Sequence, residues 1–119
     1  MKLGVFTVLF SEKSFEEMLD YVSSKGIEAV ELGTGGYPGG AHCPVDELLA
    51  DENKLADYKK QLDDRNIVIS ALSCHSNPLH PQKKISQEAD ELFEKTVLLA
   101  EKLGVGVVNT FSGCPGDNE

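Results

Sequence analysis

The sequence predicts an α/β fold built from parallel (β/α) units, with four strands and three helices. Three observations lead there. An amphipathic helix, a short turn, an apolar strand and a polar loop rich in Gly or His recur three times, at a period of about 40 residues, the size of one supersecondary module. The strands are short apolar runs rather than strict alternations, as a parallel sheet covered by helices requires. The polar loops follow the strands, and parallel sheets carry their chemistry at the strands' carboxyl ends. Sheet order is open at this point. It is either sequential, curving toward a barrel, or reversed around the first strand as in doubly wound sheets. Four strands cannot close a barrel, which needs roughly 250 residues. Residues 1–119 therefore read as one partial domain carrying half of a site.

The first strand is read at Leu3–Val8. Ser14-Phe15-Glu16-Glu17 has the form of a capping box, and Phe15, Met18, Leu19 and Val22 then fall on one helical face. Gly26 ends that helix where a left-handed residue costs least, and the second strand, Ile27–Leu32, starts at once. The run Gly33-Thr34-Gly35-Gly36-Tyr37-Pro38-Gly39-Gly40-Ala41-His42-Cys43-Pro44 is too rich in Gly and Pro for regular structure and reads as a loop. A short helical turn from Val45 to Ala50 follows. Asp51 caps a second helix reaching about Asp64, with Leu55, Tyr58 and Leu62 inward. Asn66 tolerates the positive φ of the turn into the third strand, Ile67–Leu72, and the loop Cys74–Pro81 succeeds it. The third helix runs from about Ser86 to Leu103, closed by Gly104. A fourth strand, Val105–Thr110, leads into the loop Phe111–Glu119.

Twenty acidic residues against 11 basic ones leave a net charge of −9. That balance disfavours binding to a phosphate backbone, which needs clustered Lys and Arg, so no nucleic-acid partner is expected. No stretch approaches the roughly 20 apolar residues of a membrane helix, and the apolar start Leu3–Phe10 is too short for a signal peptide. The expectation is a soluble, cytoplasmic protein without a membrane partner. Cys43, Cys74 and Cys114 are odd in number and far apart, and in a reducing compartment they read as free thiols.

Several groups could carry chemistry. The glycines between Gly33 and Gly40 offer bare amides for an anion, but no Gly-Lys-Ser/Thr accompanies them, and a flexible connection needs such glycines equally. His42, His75 and His80 all follow strands, so one rim can hold all three, and imidazole suits metal ligation and proton transfer near neutral pH. His42-Cys43, Cys74-His75 and Cys114 would make a mixed zinc site if their loops converged, although the spacing is not that of a zinc finger. Glu31 stands near the end of the second strand, where a carboxylate can hold sugar hydroxyls or pair with a lysine. Asn109, Thr110 and Ser112 close the fourth strand as hydrogen-bonding groups for a polar ligand.

Gly26-Ile27-Glu28-Ala29-Val30-Glu31-Leu32-Gly33, after a capped helix, resembles the signature of the sugar phosphate isomerase/epimerase superfamily of xylose isomerase-like TIM barrels. The loops Gly33–Gly39 and Leu72-Ser73-Cys74-His75-Ser76-Asn77-Pro78-Leu79-His80-Pro81 are similar to one bacterial branch of it. The resemblance covers the whole chain and the N-terminal half of the barrel. It implies a divalent metal (Mn, Mg, Zn or Co) at the carboxyl rim of the complete barrel, held on strands five to eight. It also implies proton transfer between adjacent sugar carbons through an enediolate. Those ligands and bases fall outside this chain, so no residue here inherits a catalytic or metal-binding role, and the fragment is expected to be inactive alone.

First-half strands in such a barrel supply holding groups, so substrate binding is assigned to His75, His42, Glu31 and Asn109. The expected partner is a small sugar or polyol. An open four-strand sheet also exposes two edges, which points to a homo-oligomer or poor solubility. Two other readings stay open. One is a phosphodiester hydrolase of the apurinic-endonuclease type, in which His75 matches a zinc ligand and the next histidine has no counterpart. The other is a non-catalytic sugar-binding module.

Overall fold

The computed structural model describes residues 1–116; Asp117, Asn118 and Glu119, read from the sequence as the end of the last loop, lie outside them. The elements in chain order are β1 (Gly4–Phe6), a 3-10 turn (Thr7–Phe10), α1 (Phe15–Ser24), β2 (Ala29–Gly36), α2 (Val45–Ala50), α3 (Glu52–Asp63), β3 (Val68–His75), α4 (Lys83–Leu103) and β4 (Val108–Asn109). All neighbouring strands pair in parallel, in the order β1-β2-β3-β4. The sequential order excludes the doubly wound alternative and gives the curved sheet of (β/α) barrels. No helix among the described residues is long and apolar enough to cross a membrane.

The helices start where local chemistry asks them to. Ser14 Oγ accepts from the Glu17 amide at 3.2 Å, while the Glu17 carboxylate accepts from the Ser14 amide at 2.9 Å. Asp51 Oδ1 accepts from the amides of Asn53 and Lys54 at 2.9 and 3.2 Å. Met18, Leu19 and Val22 of α1, Leu55 and Leu62 of α3 and Leu99 of α4 meet Val30 and Leu32 of β2 and Leu72 of β3 in one core. A fully buried side chain of this size contributes about 1.5–3 kcal/mol. The strand side chains that meet the helices, Val30, Leu32 and Leu72, alternate with Glu31 and Ser73, which stand on the opposite face.

Four differences from the sequence reading matter. Val45–Ala50 forms a separate α-helix, so there are four helices rather than three; Asp51 in extended conformation (φ −134°) breaks it from α3. β1 is only three residues long and winds into the 3-10 turn at Thr7, whose side chain is buried. β4 is shortened to two residues. β2 and β3 are longer than expected, because Gly33–Gly36 and Ser73–His75 pair with one another instead of opening into loops.

That pairing explains the glycines. A Cβ at Gly33 would come within 2.6 Å of the Gly39 carbonyl, one at Gly35 within 2.9 Å of Leu92, and one at Gly36 would run into the carbonyl of His75. At Gly33, Gly35 and Gly36 the missing side chains let backbone and helix approach closely. The ladder is interrupted twice, at Val30/Glu31 and at Gly33/Gly35. Such bulges re-aim side chains beside functional sites.

Candidate substrate-binding site

The bulge at the first interruption sets which side chains face away from the helices. Val30 and Leu32 point into the core, so Glu31 between them stands on the helix-free face. On β3, Leu72 and Cys74 are buried, and Ser73 and His75 alternate with them onto the same face as Glu31. There the Ser73 hydroxyl donates to Glu31 Oε1, and Asn109 Nδ2 donates to the same oxygen at 3.1 Å. Oε2 of Glu31 has no hydrogen-bond partner among the described residues and remains available to a ligand hydroxyl.

Past this junction the rim is aromatic. The rings of His75 and Phe111 lie 4.5 Å apart at 30°, and those of Phe111 and Tyr37 lie 6.0 Å apart at 45°. His75 Nδ1 is buried and has no partner among the described residues. Tyr37 is placed by its own amide, which donates to the His75 carbonyl at 2.8 Å. Thr110 Oγ1 donates to the Cys74 carbonyl at 3.1 Å, continuing the β3–β4 contact beyond the regular strand.

Three of the four residues assigned to substrate from the sequence thus share one face: Glu31 and Asn109 in direct contact, and His75 two residues beyond Ser73. His42 is not with them. It is only 3% exposed, its Nε2 lies 2.9 Å from the Lys13 carbonyl, and its own carbonyl accepts from the Tyr58 hydroxyl at 2.7 Å. The strand extension through Gly36 and the turn back at Pro38-Gly39 carry the loop toward α1 and α3, so His42 ties elements together instead of facing substrate. His80 is likewise local, with Nδ1 accepting from the Gln82 amide at 3.0 Å.

The mixed zinc site is not formed: among the described residues no three His, Cys, Asp or Glu side chains converge as a metal would need. All three cysteines are free. Burial pushes the Cys43 thiol up to about 11, the nearby Tyr58 hydroxyl offsetting this slightly. Cys43 is therefore an inert thiol at neutral pH, not a ligand.

Sequence reasoning missed Ser73, Tyr37 and Phe111. Ser73 and His75 are two apart on one strand, and that alternation was the signal available.

Comparison with known proteins agrees with the fold. A family model described as xylose isomerase-like TIM barrel matches residues 19–119. The uncharacterized protein YfiH of Bacillus subtilis (strain 168) is 36% identical over 115 residues, covering 97% of this chain and 36% of that protein. Among solved structures, the probable 3-DHS dehydratase AsbF of Bacillus anthracis, involved in petrobactin synthesis, superposes with a TM-score of 0.66 at 22% identity. That match covers 95% of this chain and 39% of AsbF, so the chain spans well under half the length of the relatives it matches. The chain belongs to the xylose isomerase-like TIM barrel family.

Proposed function

We propose that these four strands are the substrate-holding half of a sugar or polyol isomerase or epimerase, a soluble cytoplasmic enzyme whose complete barrel moves a proton between adjacent carbons. The observation that carries this reading is the junction of Glu31, Ser73 and Asn109 across three strands of the helix-free face. A carboxylate with one oxygen tied and one oxygen free is a fit acceptor for vicinal hydroxyls. The tie is what gives it a fixed position. His75 stands beside it with an unmet hydrogen-bonding nitrogen. AsbF is described as a probable dehydratase. Dehydration of a hydroxy-ketone and sugar epimerisation both start by removing a proton next to a carbonyl, so the likeness supports the shared step.

The side chains described here do not fit a metal by themselves. In the complete barrel a divalent ion (Mn, Mg, Zn or Co), held by further strands, would supply Lewis-acid polarisation of the substrate carbonyl. Glu31, Asn109 and His75 would bind and orient the substrate hydroxyls.

The test is exchange in deuterated water, followed by NMR, with the complete barrel and a panel of aldoses, ketoses and inositols. Deuterium should enter at C2 or C3, and Asn109→Ala should raise KM more than it lowers kcat. Binding without exchange for every compound would sink the enzymatic reading in favour of a sugar-binding module.

A further inference from the structure

We propose that Ser70 and Thr34 are positioning residues for Glu31: their hydroxyls pin the two ends of a displaced segment of the β2–β3 ladder, and that displacement is what brings Ser73 onto the face of Glu31. The inference rests on the reading of Glu31 as a substrate-holding group. It adds which residues outside the site fix that carboxylate in place.

Val30 pairs with Ile69 and Gly35 pairs with Cys74, so both strands advance by the same number of residues between those points. A straight ladder could join them, with Glu31 opposite Ser70 and Thr34 opposite Ser73. The observed ladder instead pairs Glu31 with Ala71, Leu32 with Leu72 and Gly33 with Ser73. Ser70 is the extra residue at the first interruption, on β3, and Thr34 is the extra residue at the second, on β2. The two bulges compensate, and only the pairs between them are displaced. A displacement by one residue exchanges the faces of one strand relative to the other. In the straight ladder Leu72 would share the face of Glu31 and Ser73 would stand on the other. In the displaced one Leu32 and Leu72 are both fully buried against the helices, and the Ser73 hydroxyl donates to Glu31 Oε1.

The two leucines hold the middle of this segment, but its ends are where ladder bonds are lost, because an extra residue goes unpaired. Both extra residues carry hydroxyls, and each hydroxyl bonds across to the other strand at its own interruption. Ser70 Oγ donates to the Val30 carbonyl at 3.2 Å, and Thr34 Oγ1 donates to the Ser73 carbonyl at 3.2 Å. The side chains thus stand in for the missing ladder bonds. Thr34 is anchored in turn from the helix layer, its Oγ1 lying 2.8 Å from Oγ1 of the fully buried Thr96 on α4. The carbonyl and the hydroxyl of Ser73 belong to one residue. Holding the carbonyl from the helix side therefore fixes where the hydroxyl meets Glu31 on the opposite face.

NMR of the chain without ligand tests this by following the side-chain amide of Asn109, which donates to the same Glu31 oxygen. Ser70→Ala and Thr34→Val should each move the Asn109 Nδ2 protons upfield and speed their exchange with water about fivefold, as local opening of the junction requires. Ser70→Thr and Thr34→Ser keep the hydroxyls and should restore both signals. Gly26→Ala strains a turn away from this ladder, so it should lower stability and leave the Asn109 signals where they are. Unmoved Asn109 signals in Ser70→Ala and Thr34→Val overturn the positioning role. So does an equal response to Gly26→Ala, which would make the change one of general stability. No ligand enters the measurement, so its failure leaves the polyol reading in place, and failure of the deuterium-exchange test leaves the pinning of Glu31 in place.

Discussion

Asn109 reaches over β3 to place its Nδ2 3.1 Å from Oε1 of Glu31, although β2 and β4 are not neighbours in the sheet. Ser73 on the intervening strand donates to the same oxygen. One carboxylate oxygen therefore reports the relative placement of three strands. A shift of any of them would break a bond at a group we assign to substrate, so positioning of the site and integrity of the sheet are tested together.

Glu31→Ala leaves the fully buried Ser73 hydroxyl and the Asn109 amide without their acceptor. Stranded buried polar groups cost about 1–3 kcal/mol. Glu31→Gln keeps an accepting oxygen in place and should cost less than half as much. Urea unfolding of the two variants measures the difference. Equal stability of Glu31→Ala and the parent chain would show that the junction holds nothing.

Much of this architecture was readable from residues alone, and the exceptions have physical causes. The Ser14–Glu17 box, the Asp51 cap and the stripe Met18, Leu19, Val22 are local signals, written in contiguous chain and preserved on folding. Sheet order is not local, which is why the sequential arrangement needed the structure. Gly33–Gly36 looked like loop because glycine has poor strand propensity. The strand accommodates them where backbone comes close: the carbonyls of Gly39 and His75 leave no room for a side chain at Gly33 and Gly36. Glu31, His75 and Asn109 stood out by residue type and strand position, whereas Ser73 is a small residue inside an apolar run and acquires its role only from Glu31 across the sheet. His42 failed for the converse reason. An imidazole after a strand looks functional until its bond to the Lys13 carbonyl is seen.

Gly36 and Gly26 separate strain from crowding. Both have φ near +70°, at 71° and 73°. A Cβ at Gly26 meets open space, so Gly26→Ala should cost only the left-handed penalty of about 1–2 kcal/mol. At Gly36 the Cβ runs into the His75 carbonyl, which also accepts from the Tyr37 amide. Gly36→Ala should cost clearly more, and should move the amide resonance of Tyr37 in a way Gly26→Ala does not. Matching unfolding curves for the two variants would refute the close-approach account.

Thr34 and Thr96 link β2 to α4 through a buried contact of 2.8 Å between hydroxyls. Thr34 Oγ1 also lies 3.2 Å from the Ser73 carbonyl, and Thr96 Oγ1 lies 2.8 Å from the Leu92 carbonyl. Two hydroxyl protons serve three contacts, so each group depends on the orientation of the other. Thr34→Val and Thr96→Val should each destabilise by about 1–2 kcal/mol, and the double variant should fall short of their sum by roughly 0.5 kcal/mol or more. Strict additivity in a double-mutant cycle would show that the hydroxyls act independently.

Alkaline pH should unfold the chain earlier than its surface charges suggest, because of Cys43 and Tyr58. Burial lifts the Cys43 thiol from its ordinary 9.0 to about 11. Burial, followed by the neighbouring Cys43, raises the Tyr58 phenol well above 10.0. Below pH 9 both groups keep their protons in folded and unfolded chains, and their contribution to stability is fully present. Between pH 9 and about 11 the unfolded chain releases the Cys43 proton while the folded chain retains it, so the unfolded state binds fewer protons and stability falls as pH rises. One such group gives a slope of about 1.4 kcal/mol per pH unit, and Tyr58 adds a slope of the same sign above pH 10. Urea unfolding from pH 8 to 10.5 should show this decline, and Cys43→Ala should flatten it below pH 10, whatever that variant does to stability at pH 8. A slope unchanged by Cys43→Ala would mean that this thiol titrates alike in both states. Burial among Tyr58 and the α3 face would then not be what keeps it protonated.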